Sequence, residues 1–192
     1  HQRYTEWALG ALTGDLGMSV NGEAKISDLV GARFANSLLL AFFALLVGVP
    51  LAMLLGVITG LWRDRKPDII FSTIAIFAMT IPEFVSATLL ILFFSVWLGW
   101  LPGIVLTSAG SPVSEFFPEI LLPVIVLSLV MTAHVMRMVR SSVIEVMASD
   151  YVQMATLKGV PYWQMVFRHA LPNALLPAIN VVALTIAWLL GG

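Results

Sequence analysis

Four long apolar runs divide the chain, separated by segments that carry nearly all of its charge. No charged residue lies between Arg33 and Arg63. From Ile69 to Trp97 the only charge is Glu83, and from Ile120 to Met136 the run is apolar except for His134. After His169 no charged residue follows. A bilayer crossing needs about 20 helical residues. The pattern therefore predicts spans at about 35–62, 69–97, 120–140 and 171–192. The runs are continuous rather than alternating, which argues for helices and against barrel strands. The expected fold class is all-α, a polytopic transmembrane helical bundle.

Composition supports that division. Of 192 residues, 59% are hydrophobic and only 11% are charged, against about 25% charged in ordinary soluble domains. Most of the surface must face lipid. A typical cytosolic enzyme and a disordered tail are excluded. The formal net charge of −1 gives no basic footprint for nucleic acid. With no cysteine there is no disulfide framework and no thiol chemistry. The sequence starts at His1 without Met and stops at Gly192 within an apolar run, which reads as a fragment of a longer membrane protein.

Basic residues orient the spans, because Lys and Arg favour the cytoplasmic side. Arg63, Arg65 and Lys66 lie in one link, and Arg137, Arg140, Lys158 and Arg168 surround another, whereas the segment 98–119 has none. The first two regions are expected inside and the third outside. The polar, Gly-rich arm 1–33 is then extracytoplasmic, and 34–192 is the membrane domain. Trp7, Trp62, Trp97 and Trp100 fall near the expected interfaces.

The loop 141–170 is too long for a plain turn. Asp150 is a candidate N-cap, with Gln153 three residues on to complete a capping box. Gly159 follows Lys158 as a candidate left-handed cap, and Pro161 forbids continuation. The spacing predicts a helix over 151–158. Val143, Met147, Tyr151 and Met154 recur at helical spacing as one apolar stripe. Such a short helix needs a surface to pack against, either its own membrane domain and the lipid interface or a groove on another protein.

Glu83, in Thr80-Ile81-Pro82-Glu83-Phe84, sits midway along the second run. A charge at that depth costs roughly 3 kcal/mol, so it should face protein or a wet cavity. Pro82 removes a helix hydrogen bond and is a candidate kink. Pro82 and Glu83 are thus translocation-path candidates, or a kink with a buried structural carboxyl. His134 is expected as a packed or snorkelling polar residue, and Arg137 and Arg140 as snorkelling or paired with Glu145. The His residues are too scattered for a metal site. No phosphate-binding loop or catalytic constellation is present in the sequence, so no enzymatic chemistry or bound cofactor is expected.

Asp150-Tyr151-Val152-Gln153-Met154-Ala155-Thr156-Leu157-Lys158-Gly159, followed by His169-Ala170-Leu171-Pro172-Asn173-Ala174-Leu175-Leu176-Pro177, resembles the cytoplasmic signature loop of binding-protein-dependent ABC importer permeases. Ala155, Gly159, Leu171 and Pro172 match its register; Gln153, Met154 and His169 depart from it. Asp15-Leu16-Gly17 and Leu98-Gly99-Trp100-Leu101-Pro102 resemble the B-type membrane subunit of the peptide branch. Relative to that family, the first helix and the part after Gly192 are missing. The resemblance implies a multi-pass subunit in the plasma (inner) membrane of a prokaryote. It implies a second permease subunit, cytoplasmic ATPases that hydrolyse the ATP, and an extracytoplasmic solute-binding protein. Asp150, Tyr151, Gln153, Met154, Ala155, Lys158 and Gly159 would form the coupling helix. Di- or oligopeptides are the implied cargo, with nickel or other small solutes carried by near relatives. The alternative is a secondary transporter or channel without an ATPase.

Overall fold

A computed structural model describes residues 2–20, 22, 24–105 and 113–191. The described residues form α1 (Gln2–Leu12), α2 (Ile26–Leu61), α3 (Lys66–Thr80), α4 (Glu83–Ile91, continued as a π-helical turn over Leu92–Trp97) and α5 (Val113–Met147). There follow α6 (Asp150–Leu157), α7 (Tyr162–Met165, with a π-helical turn over Val166–Ala170), α8 (Leu171–Ala174) and α9 (Leu176–Gly191). The chain is an all-helical polytopic bundle. Two helices, Ile26–Leu61 and Phe116–Met147, are each long and apolar enough to cross a membrane, and two bent pairs pass the same test together.

α2 begins at Ile26, well before the expected span at 35, because nothing in Gly31-Ala32-Arg33 stops a helix. Its 36 residues reach about 54 Å, past the roughly 30 Å hydrocarbon core. Part of the arm is therefore helix continuous with the first span. The rest is folded. α1 leads into a turn in which the Asp15 carboxylate accepts from the Gly17 N–H (3.0 Å), and the Ile26 N–H donates to the Gly17 carbonyl (3.0 Å) to start α2.

α5 is the central post, touching α2, α3, α4, α8 and α9. Its seam with α2 is lined on the α2 side by Ala41, Ala44, Gly48, Ala52, Gly56 and Gly60, all buried. Small residues let two backbones approach, which is how helices associate where lipid offers no hydrophobic drive. A Cβ built on Gly56 would lie 2.6 Å from the Cβ of Val139 and 2.9 Å from the Met136 carbonyl oxygen. Ser128 and Thr132 donate across the seam to the Ala44 and Gly48 carbonyls at 3.2 and 3.3 Å.

The expected span 69–97 is not one helix. α3 and α4 meet at a bend of 102°. Ile81 precedes Pro82, and the proline ring disfavours helical backbone at the residue before it. Ile81 is accordingly extended (φ −79°, ψ 125°), and the helix restarts after Pro82. α3 lies beside the C-terminal half of α5, and α4 beside residues 119–127. The last run is also bent, by 41° between Tyr162–Ala174 and Leu176–Leu189.

Gly56→Ala should lower the thermal unfolding midpoint of the detergent-solubilised protein, with an overpacking cost of about 1–3 kcal/mol. Gly31→Ala, with nothing within 4 Å of the added methyl, should leave that midpoint unchanged or raise it slightly.

Candidate functional site

The loop after α5 is built around α6. Ser149, not Asp150, is the residue before the helix (φ −72°, ψ 152°). Its hydroxyl donates back to the Val146 carbonyl at 2.5 Å. Asp150 is the first helical residue, where its carboxylate meets the positive end of the helix dipole. The expected capping box does not form. Gln153 Nε2 instead donates to the Ala148 carbonyl at 3.1 Å. The C-terminal expectation is met in detail. Gly159 takes φ +77°, its N–H donates to the Thr156 carbonyl (3.0 Å), and the Val160 N–H donates to the Ala155 carbonyl (3.2 Å). These two bonds define a Schellman cap.

The apolar stripe of Val143, Met147, Tyr151 and Met154 does not form one face. The chain turns sharply at Ala148 and Ser149, so helical spacing counted across that turn has no meaning. Val143 is buried in α5 against Gly60, whereas Tyr151 and Met154 are exposed. α6 is held from below by Val152, which is buried with Met165, Val166 and Ala170 in a small second core. Its outer face presents Tyr151, Met154 and Leu157, the last 81% exposed, between Asp150 and Lys158. The Tyr151 hydroxyl donates to the His169 carbonyl (3.1 Å) and accepts from Asn173 Nδ2 (3.3 Å). α6 is thereby tied to α8. The structure gathers Asp150, Tyr151, Gln153, Met154, Lys158 and Gly159 on the exposed side, with Ala155 half-buried.

Arg140 neither snorkels nor pairs with Glu145. Its Nε and Nη2 grip the two carboxylate oxygens of Asp68 at 2.6 and 2.8 Å. Asp68 also accepts from the Asp64 N–H (2.8 Å) and the Ser72 hydroxyl (2.9 Å). This buried carboxylate is the residue that pattern reading missed. It sits in a basic link and looks like one more solvated charge. The only sequence signal is its place just after Pro67, in the first turn of a helix. Arg137 instead lies with Nη1 3.8 Å from Met79 Sδ.

Glu83 is partly buried in the first turn of α4 and has no hydrogen-bond or ion-pair partner among the described residues. It borders two cavities. One, of about 280 Å³, lies between α4, α5 and Pro102-Gly103. The other, of about 260 Å³, is lined by Ser37, Leu40, Leu127 and Trp188. Pro82 is exposed beside it. His134 is not packed. It is exposed on a third cavity of about 380 Å³, with Thr185 and Trp188, and its Nδ1 lies 3.0 Å from the Val130 carbonyl. Residues 106–112 of the segment 98–119, expected outside, lie beyond the described residues.

The sequence profile described as "Binding-protein-dependent transport system inner membrane component" matches residues 48–192. Among curated proteins, the chain is similar to the glutathione transport system permease protein GsiC of Escherichia coli (strain K12), 32% identical over all 192 residues of the chain and 60% of the relative. The GsiC protein of Shigella boydii serotype 4 is 31% identical over the same shares. The chain thus spans about 60% of the length of the curated relatives it matches.

Asp68→Asn and Arg140→Lys should each destabilise the protein, Asp68→Asn by roughly 2 kcal/mol or more because it leaves a poorly solvated guanidinium without its counter-ion. Thermal unfolding of the two single variants and the double variant checks this. The double variant should lose less than the sum of the singles, as coupled partners do.

Proposed function

The chain belongs to the family of binding-protein-dependent transport system inner membrane components, and from that premise we propose that it is a membrane-spanning permease subunit of an ATP-driven importer. A peptide-like solute is the proposed cargo. The glutathione permeases support that class, as do the peptide-branch strings at Asp15-Leu16-Gly17 and Leu98-Gly99-Trp100-Leu101-Pro102. Its partners are a second permease subunit, cytoplasmic ATPase subunits and an extracytoplasmic solute-binding protein. ATP is hydrolysed by the ATPases, and this chain supplies no catalytic group. The membrane domain follows an extracytoplasmic arm, and α6 lies on the cytoplasmic side.

The observation that carries this reading is α6, a helix of 8 residues, capped at its C-terminus, with apolar side chains turned away from its own protein. A helix this short is marginal alone, and exposed apolar groups at its tip favour docking into a groove. We assign the ATPase contact to Tyr151, Met154, Leu157 and Lys158. Asp150, Gln153, Ala155 and Gly159 hold the helix in shape.

Force applied to α6 has two routes inward. Val152 presses on Met165, Val166 and Ala170, and Tyr151 bonds to the segment that leads into α9. α5 enters the same loop at Met147, and the Asp68–Arg140 pair makes α3 move with α5. Closure of the ATPases would thereby shift α5 and α9 together with α3, the helices that flank Pro82 and Glu83. We assign those two residues to the translocation path.

The test uses the full-length subunit assembled with its ATPases. Single cysteines at Met154 and Leu157 should crosslink to the ATPase with a yield that changes on adding ATP, and a cysteine at Val152 should not. No crosslink at either outer position would sink the docking reading. Gly159→Val forces a β-branched residue into φ +77°, at a cost on the order of 1–3 kcal/mol. Transport per ATP hydrolysed should fall in that variant while the level of protein in the membrane is retained.

A further inference from the structure

The two faces of α5 differ in kind. Ser128, Thr132, Met136, Val139 and Val143 form one face, set against α2, where the cavity of about 360 Å³ between α2, α3 and α5 is lined by no ionisable side chain. On the opposite side of the helix, Glu119, Pro123, Leu127, Val130 and His134 recur at intervals of three and four residues. Each of these lines a cavity.

Those cavities adjoin. Glu83 and Leu127 are shared by the first two, and Trp188 is shared by the second and the one at His134. The row from Glu119 to His134 covers about 22 Å at 1.5 Å per residue, most of a hydrocarbon core of about 30 Å. Beside the hydroxyls of Ser37 and Thr185 and the indole of Trp188, the polar groups along it include two acceptors. Glu83 is a carboxylate without a hydrogen-bond or ion-pair partner among the described residues. At His134, Nδ1 faces a backbone carbonyl, which can only accept, so the ring nitrogen there carries the proton. With the proton on Nδ1, a ring carrying no second proton offers Nε2 as an acceptor. No Lys or Arg lines any of the three cavities.

We propose that solute crosses the membrane along this face of α5, past Glu83 and then His134, and that these acceptors favour solutes bearing an ammonium group. The proposal rests on the importer reading and adds the route and the charge preference. Glu83 meets the cationic end of the solute at the bend between α3 and α4. No Lys or Arg side chain in the lining repels it, and the desolvation cost of the carboxylate is offset only while a cation is beside it.

The chain has no cysteine, so single cysteines can probe the route directly in the assembled importer, its other subunits made cysteine-free. Ser37→Cys, Leu127→Cys and Thr185→Cys sample the cavities, and Ile76→Cys, exposed on α3, lies outside them. Each is treated with cationic aminoethyl and anionic sulfonatoethyl methanethiosulfonate, with and without ATP, and rates are normalised to free cysteine. The three cavity positions should react in at least one nucleotide state, and about tenfold faster with the cation than with the anion, as a nearby carboxylate in a low-dielectric site dictates. Ile76→Cys should stay unreactive. In a Glu83→Gln background the preference should fall to near one. Unreactive cavity cysteines in both nucleotide states would overturn the route. Reaction without a cation preference, or a preference untouched by Glu83→Gln, would overturn the assignment of Glu83. The ATP-dependent crosslink at Leu157, measured on the same samples, separates these failures from failure of the importer reading.

Discussion

The architecture depends on how closely α2 and α5 approach. With Gly56 set against Val139 and Gly60 against Val143, backbone meets side chain with no room for a methyl group. Close approach also lets Ser128 and Thr132 reach α2 carbonyls. In lipid, packing of this kind and a few interhelical hydrogen bonds are what hold helices together. The tightness of the seam fixes the rotation of α5 about its own axis. That rotation decides which side chains meet α2 and which face the cavities at Glu83 and His134.

A fixed α5 makes sense of the parts attached to it. Its C-terminal end carries Arg140, which holds α3 through Asp68, and leads directly into the turn before α6. α6 is clamped on its inner side by Val152 and on its flank by Tyr151. Loop, post and α3 are therefore joined by specific side-chain contacts. The outer face of α6 is the one left uncovered, so a partner can grip the loop there without first breaking an internal contact.

Much of this is legible in the sequence, and the misses have physical causes. Long runs without charge announce the membrane helices, because hydrocarbon tolerates little else. The Gly159 cap is legible because a lysine, a glycine and then a proline two positions on leave a helix few ways to continue. The apolar stripe fails because it was counted through a turn that pattern reading could not see. Arg140 is misplaced because its partner lies 72 residues earlier, a distance no local pattern covers. The spacing of small residues from Ala41 to Gly60 is a signal of the α5 seam present in the sequence, but hydropathy counting, which looks for large apolar side chains, passes over it. Pro82 was legible as a kink. The size of the bend follows from Ile81 being driven extended.

That break also bears on how the protein enters the membrane. α3 has 15 residues, fewer than the 17 or so that an inserting helix needs, and the helical half that follows starts on a carboxylate. The two halves are long and apolar enough to cross only when taken together, so they enter the bilayer as one unit with Glu83 carried at its elbow. A straighter sequence, without Pro82, would insert more readily and lose the bend that sets the carboxylate among the cavities. Pro82 thus sets a compromise between ease of insertion and the geometry of the folded bundle.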